Sequence, residues 1–421
     1  MISGSSPTTH RPWVTRALMG IVLATFFSDF SHEMATAVLP MYLATVSLGP
    51  AALGMIEGVA DFLVSISKLL GGYVGHHTQR KRGLASLGYL VTTVGTAGIG
   101  LVGSVAAMMS LRGFAWFGRG FRAPLRDHLL ADAVPGTHYG RAYGLERAGD
   151  MLGAVAGPLV ATLLIWLAID FRTVILWTFI PGLVAAGAMF FMTRGVERDD
   201  GREQAAPRTG ARPRFPRPFW IFLVGVFLFG MGDFSRTFLI WLVARDVGEN
   251  GVQAGGTISI AVLLYTMHNL VAAGSAYPAG RLGDRSSKLR VLVSGYGLGV
   301  VTNLLLTVAG GTLGWLAGAI VLSGIYISVE ETLEKAVAAE LLPRELRSLG
   351  FGILACANAV GDMVSSLYVG FLLQHGQERW AFGLAAGLGA AGVAWMLGVV
   401  LRARRFLAAR HEPPHQPRQG A

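Results

Sequence analysis

Long apolar segments recur twelve times along the 421-residue chain, and polar connectors separate each segment from the next. A helix needs about 20 residues to cross the hydrocarbon core of a bilayer. The pattern therefore predicts an all-α integral membrane protein with twelve transmembrane helices. The predicted spans cover residues 14–46, 51–75, 84–104, 105–133, 142–168, 172–193, 219–244, 254–280, 290–309, 313–341, 348–373 and 380–401.

The connector between the sixth and seventh spans is longer than the others. Residues 194–218 are rich in arginine, proline and acidic residues, so this segment cannot cross a membrane. We therefore expect four parts in the chain. They are an N-terminal six-helix half at residues 1–193, a basic cytoplasmic linker at 194–218, a C-terminal six-helix half at 219–401 and a disordered tail at 402–421.

The second half repeats the polar landmarks of the first. The segment 72–82 lies 208 residues before the similar segment 280–290, and the same offset relates Pro135 to Pro343. In the first helix of each half, Asp29 corresponds to Asp233 at an offset of 204 residues. Two six-helix halves of common ancestry, related by pseudo-symmetry, follow from this repeat.

Composition and charge agree with a membrane location. Hydrophobic residues make up 52% of the chain and charged residues 14%, whereas about a quarter of the residues in soluble domains are charged. The net charge of +10 would also suit a nucleic-acid partner, but the basic residues concentrate in the connectors at one side. Under the positive-inside rule this asymmetry predicts a multi-pass protein of a bacterial inner membrane with both termini in the cytoplasm, and no nucleic-acid partner.

Several ionisable residues fall inside the predicted spans, where a charged side chain is costly and is commonly functional. Acidic groups beside a histidine can exchange protons near neutral pH, although Asp29 could instead stabilise helix packing and His32 could simply be solvated. The candidate proton-coupling residues are Asp29, His32 and Glu33 in the first span, Asp61 in the second and Asp233 in the seventh.

In the second span Asp61 and Lys68 lie on one helix face with Glu57 and Ser65. Lys68 is expected to extend its ammonium group to the membrane interface. Asp61 is too deep for that and is expected to face the protein interior.

Four arginines, Arg112, Arg119, Arg122 and Arg126, are spaced 7, 3 and 4 residues apart in the fourth span and so project from one side of one helix. Arginine stays charged, so carboxylates or a bound anion must compensate this row. The equivalent row of the second half carries glutamates. The sequence therefore favours either salt bridges that form and break between the halves or a dipolar substrate held between them. The candidate substrate-binding residues are Arg119, Arg122, Asp150 and Glu330.

The connectors between helices two and three of the two halves share a pattern, which is complete in the second half as Gly-x-x-x-Asp-Arg-x-x-Lys/Arg. It resembles the signature of the major facilitator superfamily. Arg112 and the segment 153–158 extend the resemblance across the chain. More narrowly, residues 54–61 and 118–127 are similar to a bacterial branch described as drug or metabolite efflux proteins. The resemblance implies the major facilitator fold and transport by alternating access.

The first-half connector departs from that pattern, because His76 stands where the family has aspartate, whereas the second half keeps Asp284. If this acid closes the cytoplasmic side, the first-half contact is expected to be weaker or pH-sensitive. The candidate gating residues are His76, Arg80, Asp284 and Arg285 in the connectors, and Arg126, Asp127 and Glu334 near the ends of spans four and ten.

These observations together predict a secondary active transporter, not an enzyme, that exports a small organic molecule in exchange for protons. Proton-coupled uptake of an anionic metabolite is an alternative, and a membrane enzyme or lipid-handling protein on the same scaffold is a more remote one. An ATP-driven pump is disfavoured because the chain has no Gly-x-x-x-x-Gly-Lys-Ser/Thr loop. The expected partners are a small-molecule substrate, protons and the lipid bilayer, with no cofactor or metal and with function as a monomer.

Overall fold

A computed structural model describes residues 13–45, 50–196, 214–234, 238, 254–308 and 313–410. Within these residues every regular element is helical. The α-helices are α1 (Arg16–Thr45), α2 (Pro50–His77), α3 (Lys81–Gly98), α4 (Val105–Ala133), α5 (Tyr139–Trp166), α6 (Phe171–Trp177), α7 (Phe179–Met192), α8 (Arg217–Gly230), α9 (Ala254–Arg285), α10 (Lys288–Val308), α11 (Leu313–Leu341), α12 (Arg347–Gln374) and α13 (Glu378–Arg410).

The helices α6 and α7 form one span with a break at Thr178. Pro181 has no backbone N–H, so it cannot donate to the carbonyl four residues earlier, and the helix is interrupted there. The Thr178 hydroxyl donates to the Ile175 carbonyl at 2.6 Å, and the Ser31 hydroxyl of α1 donates to the Thr178 carbonyl at 2.8 Å. Side-chain hydroxyls thus donate hydrogen bonds to backbone carbonyls at the break. With α6 and α7 counted as one span, the described part of the chain contains twelve helical spans.

The predicted spans agree with the helices to within a few residues, with two corrections. Helix α8 ends at Gly230, whereas the seventh span was expected to reach residue 244. Residues 231–234 are not helical, and residues 239–244 lie outside the described part. The other correction is at the C-terminal end. Helix α13 continues to Arg410, beyond residue 401 where the last span was expected to end and a disordered tail to begin. The added segment consists of arginine, alanine, leucine and phenylalanine without glycine or proline, and most of these residues favour a continuing helix. Residues 411–421 lie outside the described part.

The two halves pack alike. In the first half α1 packs against α5 and α7, and α4 packs against α2 and α3. The corresponding pairs recur in the second half, where α8 packs against α12 and α13, and α11 packs against α9 and α10. This confirms two pseudo-symmetric sets of six spans.

The halves meet through two equivalent helix pairs, α2 with α12 and α9 with α5. Glycines lie at both crossings. A Cβ added at Gly72 would meet the Ser348 carbonyl oxygen at 2.8 Å and the Cα of Gly352 at 3.0 Å. At the other crossing Gly280 and Gly140 approach backbone to backbone. Close approach of this kind requires small residues, as is typical of helix contacts in membranes.

Seven of the described helical segments are long and apolar enough to cross a membrane by length and composition. Large apolar side chains are exposed along the outer faces of several helices, where lipid can cover them. Examples are Leu159, Leu163, Trp166, Ile180, Leu367 and Phe371. The protein is therefore a multi-pass membrane protein.

Candidate functional site

The connections α2–α3, α4–α5, α9–α10 and α11–α12 lie at one end of the helices, which we call the connector end. There Asp284 at the end of α9 accepts hydrogen bonds from the backbone N–H groups of Gly140 and Arg141, at 2.8 and 2.9 Å. Its side chain is fully buried and also lies 3.2 Å from Lys288 Nζ. The carboxylate therefore caps the positive N-terminus of α5 in the other half.

The equivalent contact of the first half is a hydrogen bond from a histidine and involves no carboxylate. The His76 Nδ1–H of α2 donates to the Glu345 carbonyl at 2.8 Å, just before α12 begins. An imidazole donating to a carbonyl supplies no negative charge to a helix N-terminus. Arg80 and Arg285, the other predicted gating residues of the connectors, are exposed.

A third contact at the connector end joins α4 to the start of α12. Asp132 lies 3.0 Å from Arg344 Nε and 2.8 Å from Arg347 Nη1, and its side chain is 2% exposed. His128 Nε2 lies 3.1 Å from the same carboxylate, and His128 Nδ1 lies 3.0 Å from the Ser348 hydroxyl. We call these residues the Asp132 cluster. None of the sequence patterns described above predicts this cluster.

A cavity of about 310 Å³ lies between the two halves, lined from α1, α2, α4 and α5 on one side and from Asp233, α11 and α12 on the other. Its walls are dominated by charged side chains. The first half contributes Asp29, Lys68, Arg119, Arg122, Arg126, Asp127, Glu146, Arg147 and Asp150, and the second half contributes Asp233, Glu330, Glu331, Glu334, Lys335 and Asp362.

Arg119 and Asp29 form an ion pair in the first half, with Arg119 Nη1 2.7 Å from Asp29 Oδ1 and Nη2 3.1 Å from Oδ2. The Nη2 contact is a hydrogen bond, whereas Nη1 and Oδ1 are close without hydrogen-bond geometry. The Asp29 side chain is 4% exposed. Its carboxyl group also adjoins that of Asp150 of α5 at hydrogen-bonding range.

Arg147 of α5 connects this group to the second half. Its Nη1 lies 2.5 Å from Asp150 Oδ2 in its own helix and 2.5 Å from Glu331 Oε2 of α11. One guanidinium thus bridges two carboxylates on opposite walls of the cavity. A charged chain runs from Arg119 through Asp29, Asp150 and Arg147 to Glu331.

Arg126 is compensated within the first half. It lies 2.9 Å from Asp127 and 3.0 Å from Glu146, and Lys335 from the second half approaches both carboxylates at 3.8 and 3.9 Å. The predicted gating residues Arg126 and Asp127 therefore belong to the cavity wall and not to the connector end.

Arg122 differs from its neighbours in the row. Its polar contacts are hydroxyl groups, with Nη1 donating to Thr92 Oγ1 at 2.8 Å and Nη2 donating to Ser28 Oγ at 2.6 Å. The guanidinium lies over the Tyr89 ring, 3.8 Å from its centroid. Within the described residues Arg122 has no ion pair, so of the two expected kinds of compensation, a carboxylate or a bound anion, the described residues supply no carboxylate partner.

The acidic wall of the second half is ordered by tyrosines. The Tyr326 hydroxyl donates to Asp233 at 2.8 Å. The Tyr296 hydroxyl and the Asn358 amide donate to the two carboxylate oxygens of Glu334. Glu330, which is 6% exposed, has neither a hydrogen bond nor an ion pair among the described residues.

Nine of the predicted site residues line this one cavity, although they come from three different predicted roles. His32 and Glu33 are not part of its lining. The His32 ring meets Trp116 edge-on at 4.8 Å, and its charged neighbours are guanidinium groups. The side chain of Asp61 lies outside the described residues.

The nine predicted site residues that line the cavity are Asp29, Arg119, Arg122, Arg126, Asp127, Asp150, Asp233, Glu330 and Glu334.

Lys68 requires a correction, because it was expected to reach the membrane interface. It lines the cavity instead, with Asp362 and Glu331 as acidic neighbours. The packing of α2 against α12 turns this helix face inward. The spacing of Lys68 with Asp61 on one helix face was the available signal. Asp61 is too deep to reach water, so the face that the two residues share has to point into the protein.

Twelve helical spans in two repeated sets around a charged cavity are the architecture of a membrane transporter. The sequence profile of the Major Facilitator Superfamily matches residues 21–267 and 255–420, nearly the whole chain. The chain therefore belongs to the Major Facilitator Superfamily, and it is a transporter of that family.

Similar proteins span most of the chain. An uncharacterised MFS-type transporter of Methanocaldococcus jannaschii is 25% identical over 365 residues, covering 84% of this chain and 87% of that protein. A protein of Cupriavidus pinatubonensis named a probable 4-methylmuconolactone transporter is 24% identical over 360 residues, covering 81% of each.

Solved structures agree on the fold. The human organic anion transporter MFSD10 superposes with a TM-score of 0.72 at 14% identity, covering 90% of this chain and 99% of that one. A bacterial homologue of the iron transporter ferroportin in an outward-facing state gives a TM-score of 0.70 at 14% identity, covering 91% and 98%. At these identities the likeness establishes the twelve-helix fold.

Proposed function

We propose that this protein is a proton-coupled secondary transporter of a bacterial inner membrane, which exports a small organic molecule by alternating access. In this proposal the connector end is the cytoplasmic end. The observation that carries proton coupling is the contact between the carboxyl groups of Asp29 and Asp150 inside the membrane-spanning part.

Two carboxyl groups at hydrogen-bonding range cannot both be ionised without strong repulsion, so such a pair holds a proton between them. Each member also pairs with an arginine, Asp29 with Arg119 and Asp150 with Arg147. Loading or releasing the shared proton therefore changes how firmly both guanidiniums are held.

The proton is linked to the conformation through Arg147. This side chain bridges Asp150 to Glu331 of the second half. A proton on Asp150 weakens the ion pair between Asp150 and Arg147. The contact of Arg147 with Glu331, which joins the two halves, changes as a result. Alternating access requires such a link, since a ligand shifts a conformational equilibrium only through a difference in its affinity for the two states.

Alternating access also requires that the contacts at the connector end break in the other state. Asp284, His76 and the Asp132 cluster each join one half to the other there. The cavity lies between the same two halves. Separation at this end would expose the cavity to the connector side.

The direction of export is supported by the resemblance of residues 54–61 and 118–127 to bacterial efflux proteins. A second candidate function is proton-coupled uptake of an anionic metabolite. Arg122 favours it, because this buried guanidinium lines the cavity without a carboxylate partner. The relative named a probable 4-methylmuconolactone transporter supports a small organic substrate for either direction of transport.

Metabolite profiling of cells with and without the protein, followed by flux measurements in proteoliposomes under an imposed pH gradient, tests the proposal. An antiporter accumulates substrate in the compartment that is made acidic, whereas a symporter accumulates it in the compartment opposite the acid. If substrate accumulation is the same whichever compartment is made acidic, transport is not coupled to protons.

Asp29→Asn is the informative variant in that assay. We expect it to abolish accumulation against a gradient while downhill exchange continues, because the shared proton is lost but the cavity remains. Asp170→Asn is the control. Hydrogen bonds from the Thr173 hydroxyl and backbone N–H lower the pKa of Asp170, so this exposed cap of α6 stays ionised and takes no part in coupling. Normal pH-driven accumulation by Asp29→Asn would refute the role of Asp29.

A further inference from the structure

Arg122 from α4 and Glu330 from α11 carry opposite charges and face the cavity without an ionic partner among the described residues. We propose that the cavity binds an amphoteric small molecule, which places its anionic group on Arg122 and its cationic group on Glu330. The inference rests on the proposed transport function, since it takes the cavity as the substrate site.

Arg122 is built to receive an anion. It is 3% exposed, and a buried guanidinium without a counter-charge is costly. Its two hydrogen bonds to hydroxyl groups use only part of its five N–H donors. Stacking on Tyr89 holds the plane of the group in place. Arg119, by contrast, is already bound to a carboxylate.

Glu330 is the acidic group that the protein leaves open. Its neighbours Asp233 and Glu334 receive hydrogen bonds from tyrosines, and Glu331 is bound by Arg147. The charged groups that surround Glu330 are themselves carboxyls, so the local field attracts a cation. A substrate ammonium group would supply the missing partner.

Lys68 is the other cavity cation without an ion pair among the described residues. Its acidic neighbours are Asp362 and Glu331, so it does not compensate Glu330. The position at Glu330 therefore stays available to a ligand.

Arg122 and Glu330 occupy equivalent positions in the two repeated halves. Arg122 and Glu330 are separated by 208 residues, the offset that relates the two halves. One molecule that touches both is therefore held by both halves at equivalent places on α4 and α11. The cavity volume of about 310 Å³ is at the lower limit of small-molecule sites, which suits a ligand of amino-acid size.

Equilibrium binding by the purified full-length protein in lipid nanodiscs tests this inference, with thermal stabilisation as the readout. The probes are matched triplets, such as phenylalanine, 3-phenylpropionate and phenethylamine, or leucine, 4-methylpentanoate and 3-methylbutylamine. We expect the amphoteric member of a triplet to bind about tenfold or more tightly than either partner that lacks one charge.

Two variants assign the charges. Glu330→Gln should lower the affinity for the amphoteric member to that of its deaminated acid. Arg122→Lys should weaken binding of the same molecule although the charge is kept, because an ammonium lacks the planar fork of the guanidinium. Glu378→Gln, at the start of α13 and outside the cavity lining, is the control and should bind as the unmodified protein does.

The inference is overturned if the acid or the amine alone binds as tightly as the amphoteric member, if no amphoteric member binds, or if Glu330→Gln leaves the affinity unchanged. Binding at equilibrium needs no gradient, so its failure is separate from that of proton coupling. A protein that binds amphoteric probes without pH-driven flux would contradict the proposed function alone.

Discussion

The row of arginines on α4 shows how the surroundings decide what one residue type does. Arg119 and Arg126 bind carboxylates directly, whereas Arg122 binds only hydroxyl groups and a tyrosine face. All three are charged, and they lie within eight positions of one helix. Compensated guanidiniums hold the cavity wall together, and the uncompensated one is available to a ligand.

The carboxyl pair leads to a prediction for single residues. Asp150→Asn should remove the pH dependence of transport, as is expected of Asp29→Asn, because both groups share one proton in the proposed mechanism. For the same reason the double variant should be no worse than either single one. Flux against pH in proteoliposomes measures this, with Asp170→Asn as the control. Additive losses from the two changes would show that the groups titrate independently.

At the scale of elements, the two equivalent helix ends are closed by different chemistry. Asp284 caps α5 with a buried carboxylate, whereas His76 meets only a carbonyl ahead of α12. Charge-assisted hydrogen bonds of this kind contribute about 1.5 to 3 kcal/mol each. The α9–α5 contact is therefore the stronger of the two.

We predict that Asp284→Asn opens the connector end more than His76→Asn does. The reporter is a cysteine at Ala355, which lines the cavity, in a chain that carries Cys356→Ser. Its rate of labelling by a membrane-impermeant maleimide from the connector side should rise clearly in Asp284→Asn and little in His76→Asn. Equal rates in the two variants would refute the asymmetry.

The glycine crossing of α2 and α12 gives a second prediction for elements. A methyl group at Gly72 would strike the backbone of α12, so Gly72→Ala should force the two helices apart and speed labelling at the Ala355→Cys reporter. Gly83→Ala is the matched control, because nothing lies within 4 Å of a Cβ at Gly83. An unchanged rate in Gly72→Ala would mean that the crossing adjusts without opening.

At the scale of the whole molecule, the Asp132 cluster ties the two halves together across the connector end. The pseudo-symmetric counterpart of Asp132 is Glu340, which among the described residues forms its ion pair with Lys288 of its own half and is 47% exposed. Removing one partner from a buried ion-pair network costs roughly 3 kcal/mol. Exposed pairs contribute well under that amount.

Asp132→Asn should therefore shift the protein toward states with a separated connector end, and Glu340→Gln should not. Spin labels at Thr137→Cys and Ser286→Cys, both exposed on opposite halves, report the separation as a distance distribution in a Cys356→Ser chain. A longer distance in Asp132→Asn alone is the expected result. If the distance distribution between the labels is the same in both variants, the Asp132 cluster does not hold the connector end closed.

The sequence predicts the spans and much of the cavity because both depend on local patterns. Apolar length locates the helices, and charges inside those lengths identify Arg119 and Asp29. The Asp132 cluster could not be found in this way, since Asp132 ends an apolar run and its partner Arg347 lies 215 positions further along the chain. Lys68 was misplaced because its orientation depends on how α2 packs against α12.

Added salt should weaken the ion pair of Glu340 more than the ion pairs of Asp132, the symmetric position at the connector end. The Debye length is about 3 Å in 1 M salt, so mobile ions screen exposed pairs and hardly reach buried ones. Lys288 and Glu340 are accessible to those ions through the exposed glutamate, whereas Asp132 is sealed from them. High-salt washes that strip peripheral proteins from membranes should therefore leave the Asp132 side of this transporter closed.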